Sequence, residues 1–195
     1  MDRNFCPKNR KKPIAFKPVT LSLKCLLFAI RKTSKYPNIS TSYENRALNV
    51  MQIGNGSKKI VLHGGTHARE WITPITMINT ARLLVEGFRA GGAEKKYLDD
   101  VTWHIVININ PDGYNYTWES QRMWRKTRSP TPLQNCVGTD PNRNWDCQWA
   151  TVGSSNNPCS DTYHGTDPFS EIEMESAAEY IESLGFVEVR IRPRF

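Results

Sequence analysis

The sequence predicts an α/β fold, built as a partial mixed or parallel β-sheet flanked by helices. Short segments rich in β-branched and apolar residues alternate along the chain with longer segments of helical periodicity. Turns that contain glycine and proline separate the two kinds of segment. Strands that alternate with helices pack as layers around a largely buried sheet, and the ordinary share of hydrophobic residues, 38%, is enough to build such a core.

Two strands and a glycine-containing loop begin this pattern. Leu48 to Ile53 alternates as a strand does, and Lys59 to Leu62 is typical of a short buried strand. Between them, Gly54-Asn55-Gly56 predicts a turn. The segment from His63 to His67 contains two glycines and predicts a loop directly after the second strand.

A long helix and a third strand follow. Glu70 to Phe88 carries apolar side chains at helical spacing, and Gly91-Gly92 ends the segment. Val101 to Ile109 is dense in β-branched residues, which favours a strand. Asn110-Pro111-Asp112-Gly113 predicts a turn after it, because proline presets φ and glycine relaxes the exit.

The C-terminal part predicts a second helix and a last strand. Ser170 and Glu173 have the spacing of a capping box, and the helix that they begin runs to Leu184, where Gly185 closes it. Phe186 to Ile191 then favours one more strand.

Residues 1–40 are rich in lysine and proline and lack clear periodicity, so we expect a basic leader there and the folded domain in residues 41–195. The apolar run from Val19 to Ile30 is too short to span a membrane and is interrupted by Lys24. Pro18 breaks it at its start and no convincing small-residue cleavage site follows, so it is not a convincing signal peptide.

The formal net charge of +7 raises the alternative of a nucleic-acid-binding protein. Much of the excess lies in the leader, where a solvated basic tail explains it better. A second basic run, Arg122 to Arg128, contains Trp124 and imitates a phosphate-binding stripe. We expect no nucleic-acid partner.

Cysteines and glycosylation sequons give a weaker signal. The five cysteines cannot all pair within the chain, and none has C-x-x-C spacing. Asn-x-Ser/Thr sequons occur at Asn38, Asn55 and Asn115, a pattern that supports a secretory route only weakly.

His67 and Glu70 have H-x-x-E spacing at the junction between the loop and the first helix. Open α/β sheets place ligand sites beyond the carboxyl ends of their strands. An imidazole and a carboxylate at this spacing can reach one cation, and zinc accepts both but needs a third protein ligand and leaves a fourth position for water. Taken alone, the spacing is better explained by a polar loop and a carboxylate at a helix N-terminus.

The surrounding residues reverse that preference. His67-Ala68-Arg69-Glu70-Trp71-Ile72-Thr73 closely resembles the zinc-binding signature of the metallocarboxypeptidases of the carboxypeptidase A and B type. Five further blocks resemble segments of the same family in the same order: Ser42 to Arg46, Asn110 to Tyr114, Trp124 to Arg128, Asp140 to Asp146 and Pro158 to Gly165. The chain is therefore identified as a member of this family, with a truncated zinc carboxypeptidase-like α/β domain.

The resemblance implies a role for several residues. His67 and Glu70 would bind one Zn²⁺ ion, and Arg125 would stabilise the oxyanion that forms on the scissile carbonyl. Asn142 and Arg143 would hold the free C-terminal carboxylate of a peptide or protein substrate, because a guanidinium donates two parallel hydrogen bonds. The implied reaction is hydrolysis of a C-terminal peptide bond.

Four more residues take supporting roles by the same resemblance. Arg69 would line a remote substrate subsite, and Asp140 would orient the His67 ring. Cys136 and Cys159 would form the family's loop disulfide, which favours a secreted protein or one in the secretory or vacuolar route. We expect His63, His104 and His164 to be structural.

The sequence also departs from the family. The family takes its third zinc ligand, a histidine, from a later segment, together with a general-base glutamate and a tyrosine that closes over substrate. No histidine follows His164, and no glutamate matches the base by motif. We therefore expect a truncated catalytic domain that is weakly active or inactive alone. The alternative is a non-catalytic remnant that binds peptide C-termini through Asn142 and Arg143.

Overall fold

The computed structural model describes residues 34–35, 37–91, 95–185 and 188–189. Most of the predicted basic leader and most of the strand predicted from Phe186 to Ile191 lie outside the described residues. The described strands are β1 (Ser34–Lys35), β2 (Asn38–Thr41), β3 (Ala47–Ile53), β4 (Lys58–His63), β5 (Val101–Val106) and β6 (Glu188–Val189). The α-helices are α1 (Ile72–Ala90), α2 (Lys95–Asp99), α3 (Pro111–Glu119) and α4 (Ile172–Ser183), and Pro141–Arg143 form a 3₁₀ turn.

The strands form one mixed sheet in the order β1-β3-β5-β4-β6, and β2 also pairs with β3. β3 runs antiparallel to β5, with Val50 opposite Val106. β4 runs parallel to β5, with His63 opposite Val106, and parallel to β6. Helices α1 and α2 make the crossover that two adjacent parallel strands require.

The two faces of the sheet are covered by different helices. Alternate residues of a strand point to opposite faces, and Met51 and Val50 accordingly belong to different apolar clusters. One cluster packs β3 and β5 against α1 and α2 and contains Met51, Ile53, Ala81, Val85, Leu98, Ile105 and Ile107. The other packs them against α4 and contains Val50, Val106, Ile109, Met174 and Ala177. The α/β prediction is confirmed.

The segment predicted to be a turn after the third strand is instead the start of α3. Asn110 is its N-cap, and the Asn110 side chain accepts a hydrogen bond from the Gly113 N–H at 3.0 Å. Pro111 occupies the first turn, where its missing N–H costs nothing. The same residues that favour a turn are therefore a helix start here.

The capping box predicted for the last helix is wrong. The N-cap of α4 is Glu171, and its side chain makes no capping hydrogen bond. Ser170 Oγ accepts a hydrogen bond from Asn144 Nδ2 at 2.9 Å, and Glu173 Oε1 accepts one from the Tyr43 N–H at 3.1 Å. Both side chains are drawn into tertiary contacts, which override the local motif.

Among the described residues, no helix has the length and apolar character needed to cross a bilayer.

Candidate metal and substrate site

The loop that carries His67 and Glu70 lies at the carboxyl edge of β4 and β5. The Gly64 N–H donates to the Val106 carbonyl at 3.0 Å, and the Ile109 N–H donates to the Gly64 carbonyl at 2.9 Å. Gly65 has a φ of +69°, and a Cβ there would meet Asn108 Oδ1 at 2.1 Å, so only glycine fits. The loop is thus fixed to the strand ends that were expected to present a ligand site.

The His67 ring lies between two carboxylates. Nδ1 is 2.8 Å from Glu70 Oε1, and Nε2 is 3.1 Å from Asp140 Oδ1. Both carboxylates only accept hydrogen bonds, and a neutral imidazole carries a single N–H, so the ring donates to one of them at a time. With that N–H directed at Asp140, Nδ1 and the Glu70 oxygen are two acceptor atoms that one cation can share.

Asp140 is the centre of the hydrogen-bond network. It is fully buried and accepts hydrogen bonds from His67 Nε2, from Arg125 Nη2 at 2.9 Å and from the Asn142 N–H at 3.0 Å. Burial by itself would raise the pKa of this carboxyl, but the hydrogen bond from His67 and the positive charge of Arg125 outweigh it and hold the pKa below its ordinary value.

Arg125 comes from the loop after α3 and reaches the same place. Besides Asp140, it donates from Nε to the Asp161 carbonyl at 3.1 Å, and its side chain keeps only 14% of its surface exposed. The Ala68 N–H donates to the Arg125 carbonyl at 3.0 Å, which ties this loop to the one that carries His67. Arg69 lies at the rim and pairs with the Asp161 carboxylate at 3.2 Å.

Asn142 and Arg143 lie in the 3₁₀ turn directly after Asp140. Arg143 donates from Nε to the Gly153 carbonyl at 2.8 Å and from Nη1 to the Asn142 carbonyl at 3.0 Å. Both residues line a concavity of about 340 Å³, together with Trp145, Cys147, Gln148, Trp149, Ala150, Thr151, Val152 and Ser154. Asn142 also donates to Asp140, so this concavity adjoins the network of Asp140, and its volume is sufficient for an amino-acid side chain.

The predicted disulfide is present, and two residues of the site were missed. Cys136 and Cys159 form this disulfide, as the resemblance implies, whereas Cys147 is exposed and has no disulfide partner among the described residues. Asn110, predicted only as a turn residue, donates from Nδ2 to the Thr66 and Lys126 carbonyls and so joins the two loops of the site. Asp161 was also missed, although its position in a predicted family block was a usable signal.

Two arginines of the basic run Arg122 to Arg128 stack on aromatic side chains. Arg122 lies 3.8 Å above the Trp71 ring, and Arg128 lies 3.7 Å above Tyr116 and 4.6 Å from Trp124. Guanidinium groups stacked in this way stabilise the loop through cation–π contacts.

His63 and His104 are buried and His164 is half-buried, and none of the three side chains hydrogen-bonds to this network among the described residues. Burial lowers the pKa of His63, and the pKa of His104 is lowered by burial and then by the charge of Lys59. His104 Nδ1 is 2.7 Å from the Tyr180 hydroxyl, and His164 Nδ1 is 3.0 Å from the Gly165 carbonyl.

The donor set fits zinc in kind and supplies two ligands. An imidazole nitrogen and a carboxylate oxygen converge, and a buried carboxylate orients the imidazole from behind, as metal-bound histidines usually require. Within the described part of the chain, no three His, Cys, Asp or Glu side chains are grouped so that they could hold a metal ion.

Comparison with known proteins identifies the class. Residues 23–191 match the zinc carboxypeptidase family, and the chain belongs to that family. It is 44% identical to carboxypeptidase A2 of Mus musculus over 156 residues, which make up 79% of this chain and 37% of that protein. The chain thus spans little more than a third of this relative's length.

Two further relatives bear on function. The inactive metallocarboxypeptidase ecm14 of Talaromyces stipitatus is 40% identical over 152 residues, 73% of this chain and 26% of that protein. The solved structure of bovine thrombin-activatable fibrinolysis inhibitor in complex with tick carboxypeptidase inhibitor superposes with a TM-score of 0.75 at 32% identity, covering 83% of this chain and 53% of that one. Both the predicted family and the predicted carboxypeptidase fold are confirmed.

Proposed function

We propose that this chain provides the zinc-binding and carboxylate-binding part of a peptidase that hydrolyses C-terminal peptide bonds. The observation that carries the proposal is the convergence of His67 Nδ1 and Glu70 Oε1, 2.8 Å apart, with Nε2 of the same ring held by buried Asp140. This arrangement supports roles for His67 and Glu70 as two ligands of one Zn²⁺ ion and for Asp140 as the residue that orients the imidazole.

Zinc, when bound, supplies Lewis acidity that polarises a substrate carbonyl and makes a bound water more acidic. In this proposal, Arg125 donates to the oxygen on which negative charge develops, because its guanidinium is already directed into the network by Asp140. Removing one such donor costs roughly 3–4 kcal/mol of transition-state stabilisation. The release of Arg125 Nη2 from Asp140 towards substrate is part of the proposed cycle.

Asn142 and Arg143 bind the free carboxylate of the substrate and thereby confine hydrolysis to its C-terminal bond. Nε and one hydrogen of Nη1 on Arg143 are used within the protein, which leaves Nη2 and the second Nη1 hydrogen for a ligand. The adjacent concavity receives the C-terminal side chain. Arg69 contacts substrate residues further from the scissile bond, since it lies at the rim beside Asp161.

The Cys136–Cys159 disulfide supports a secretory or vacuolar route, because such bonds persist in oxidising compartments. We expect little turnover from the 195-residue chain alone, since two protein ligands fix zinc less well than three.

The proposal is tested first by zinc binding. Isothermal titration with Zn²⁺ is expected to give one site in the original chain and none in His67→Ala or Glu70→Gln. His164→Ala is the matched control, because it removes a histidine outside the network. If His67→Ala binds zinc as tightly as the original chain, the proposed metal site is wrong.

Hydrolysis is tested on a peptide with a free C-terminus, in the presence of zinc. Slow release of the last amino acid, abolished by Arg125→Ala and by blocking the peptide as its amide, is the expected result. Release from the middle of the peptide, or equal cleavage of acid and amide, would contradict an exopeptidase.

A second candidate function is binding of peptide C-termini without hydrolysis. The similarity to an inactive metallocarboxypeptidase favours it, and the carboxylate clamp needs no metal. It predicts that zinc-free protein binds a peptide acid and not the corresponding amide, measured by fluorescence anisotropy. Equal affinity for the two peptides would refute it.

A further inference from the structure

Three N-glycosylation sequons occur in the described part of the chain, and their surroundings differ sharply. They are Asn38-Ile39-Ser40 in β2, Asn55-Gly56-Ser57 between β3 and β4, and Asn115-Tyr116-Thr117 in α3. An acceptor must present both its amide and the hydroxyl two residues later, and the bulky glycan must remain on the surface.

Asn115 does not meet these requirements. It lies within helix α3, and Thr117 is only 4% exposed. The Thr117 hydroxyl donates to the Tyr114 carbonyl at 2.6 Å and accepts a hydrogen bond from Trp71 Nε1 at 2.8 Å. The hydroxyl that this sequon needs is therefore committed to the packing of α3 against the start of α1.

Asn38 meets the requirements for a glycan acceptor only in part. Its side chain is exposed, but its backbone is in the β2–β3 ladder opposite Asn49. The half-buried Ser40 donates its hydroxyl to the neighbouring Thr41 carbonyl at 3.4 Å. The extended strand also keeps the Asn38 amide from folding back over the residues that follow it.

The geometry points to Asn55 as the acceptor of an N-linked glycan. Asn55 and Ser57 are both exposed, and neither side chain has a hydrogen-bond partner among the described residues. The backbone beneath them is fixed, because the Asn55 N–H donates to the Leu98 carbonyl at 3.2 Å and Thr102 Oγ1 donates to the Gly56 carbonyl at 2.7 Å. An ordered turn thus presents a free amide and a free hydroxyl to solvent.

Gly56 explains how the turn can lie so close to the domain. A Cβ at this position would meet the Asp100 carbonyl carbon at 1.9 Å, so the backbone of residue 56 packs directly on the start of β5. The side chains on either side are consequently directed outward. Asparagine before glycine also deamidates readily, so an experiment on Asn55 has to distinguish N-glycosylation from deamidation.

A glycan at Asn55 is compatible with the proposed peptidase site. β4 runs away from this turn for six residues to the loop of His67, about 20 Å at the rise of a strand. The two features therefore occupy opposite ends of the sheet. The inference rests on entry into the secretory route and not on zinc binding or hydrolysis.

The experiment uses the full chain behind a cleavable signal sequence, translated in the presence of endoplasmic reticulum microsomes. A variant with Asn38→Gln and Asn115→Gln retains Asn55 as its single sequon. We expect one step of reduced gel mobility, reversed by peptide N-glycosidase. Adding Ser57→Ala is expected to abolish the step while leaving Asn55-Gly56 intact, which distinguishes a glycan from amide loss.

The reciprocal variant, with Asn38→Gln and Asn55→Gln, retains only Asn115 and is expected to show no step. Protease protection establishes that each chain has entered the microsomes. The inference would be overturned if the translocated chain that retains only the Asn55 sequon stays unmodified. It would also be overturned if the chain that retains only the Asn115 sequon carries a glycan. Because the readout is mobility, neither result depends on peptidase function.

Discussion

The carboxyl of Glu173 makes the stability of this domain depend on pH in a direction that can be calculated. Glu173 is 1% exposed and its Oε1 accepts a hydrogen bond from the Tyr43 N–H, while its Oε2 has no partner within the described part of the chain. Burial raises its pKa from 4.5 to about 7, two backbone hydrogen bonds oppose the rise, and the charges of Glu171 and Asp112 add to it.

The sign follows from proton uptake. In the unfolded chain Glu173 is ionised above about pH 4.5, whereas in the folded domain it stays protonated up to about pH 7. The folded state therefore binds more protons in this window, and its stability falls as pH rises through it. A pKa shift from 4.5 to about 7 corresponds to roughly 3 kcal/mol of folding free energy. This contribution to stability is fully present below about pH 4.5 and is lost above about pH 7.

Glu173→Gln isolates this contribution, because the amide keeps an acceptor for Tyr43 and cannot ionise. The free energy of unfolding is measured from urea transitions between pH 4.5 and 8, followed by tryptophan fluorescence. As pH rises from 4.5 to 8, we expect the unfolding free energy of the variant to increase by up to about 3 kcal/mol relative to that of the original chain.

Glu175→Gln is the matched control, since Glu175 is exposed on the same helix. Its effect should stay within about 0.5 kcal/mol at every pH. A difference between Glu173→Gln and the original chain that stays constant from pH 4.5 to 8 would refute the reasoning.

Three further predictions concern the loops of the site. Asn110→Ala removes the cap of α3 and the amide donor to the Thr66 and Lys126 carbonyls, of which the second still accepts from Trp124 Nε1, so the unfolding free energy should fall by about 2 kcal/mol in urea. Replacing Cys136 and Cys159 by serine releases a loop with a sequence separation of 23 and should cost about 3 kcal/mol in the same assay, an effect that reduction of the original chain should reproduce. Arg143→Lys should weaken binding of a peptide acid about tenfold, measured by anisotropy, and leave the amide unchanged, because an ammonium cannot replace two parallel guanidinium hydrogen bonds.

Sequence periodicity predicted the central elements because local and tertiary preferences agree there. The strand expected at Leu48 to Ile53 is β3, and the helix expected from Glu70 to Phe88 is α1, shifted by two residues at each end. In both cases the alternation of apolar residues matches the faces that the sheet and helix bury.

Prediction failed where distant residues compete with local motifs. Ser170 and Glu173 have capping-box spacing, but Asn144 and Tyr43 supply better partners from elsewhere in the fold. Likewise, Asn110-Pro111-Asp112-Gly113 satisfies the rules for a turn and for a helix start equally well. The contacts of Asp112 with Ser42 and Arg46 add tertiary support to this helix start, and they join residues about 70 positions apart.

The family motifs predict the candidate site residues, but not how the fold brings them together. The resemblance suggests that His67 and Glu70 meet, whereas no spacing in the sequence predicts that Arg125 approaches the carboxylate of Asp140. That convergence depends on Asp140, whose N–H donates to the Tyr163 carbonyl and whose side chain accepts from three groups on two loops. Because every one of these partners belongs to the protein, the orientation of the His67 ring is set by the fold itself. In the proposed zinc site, a cation held by Nδ1 and Glu70 would therefore require little rearrangement of the imidazole.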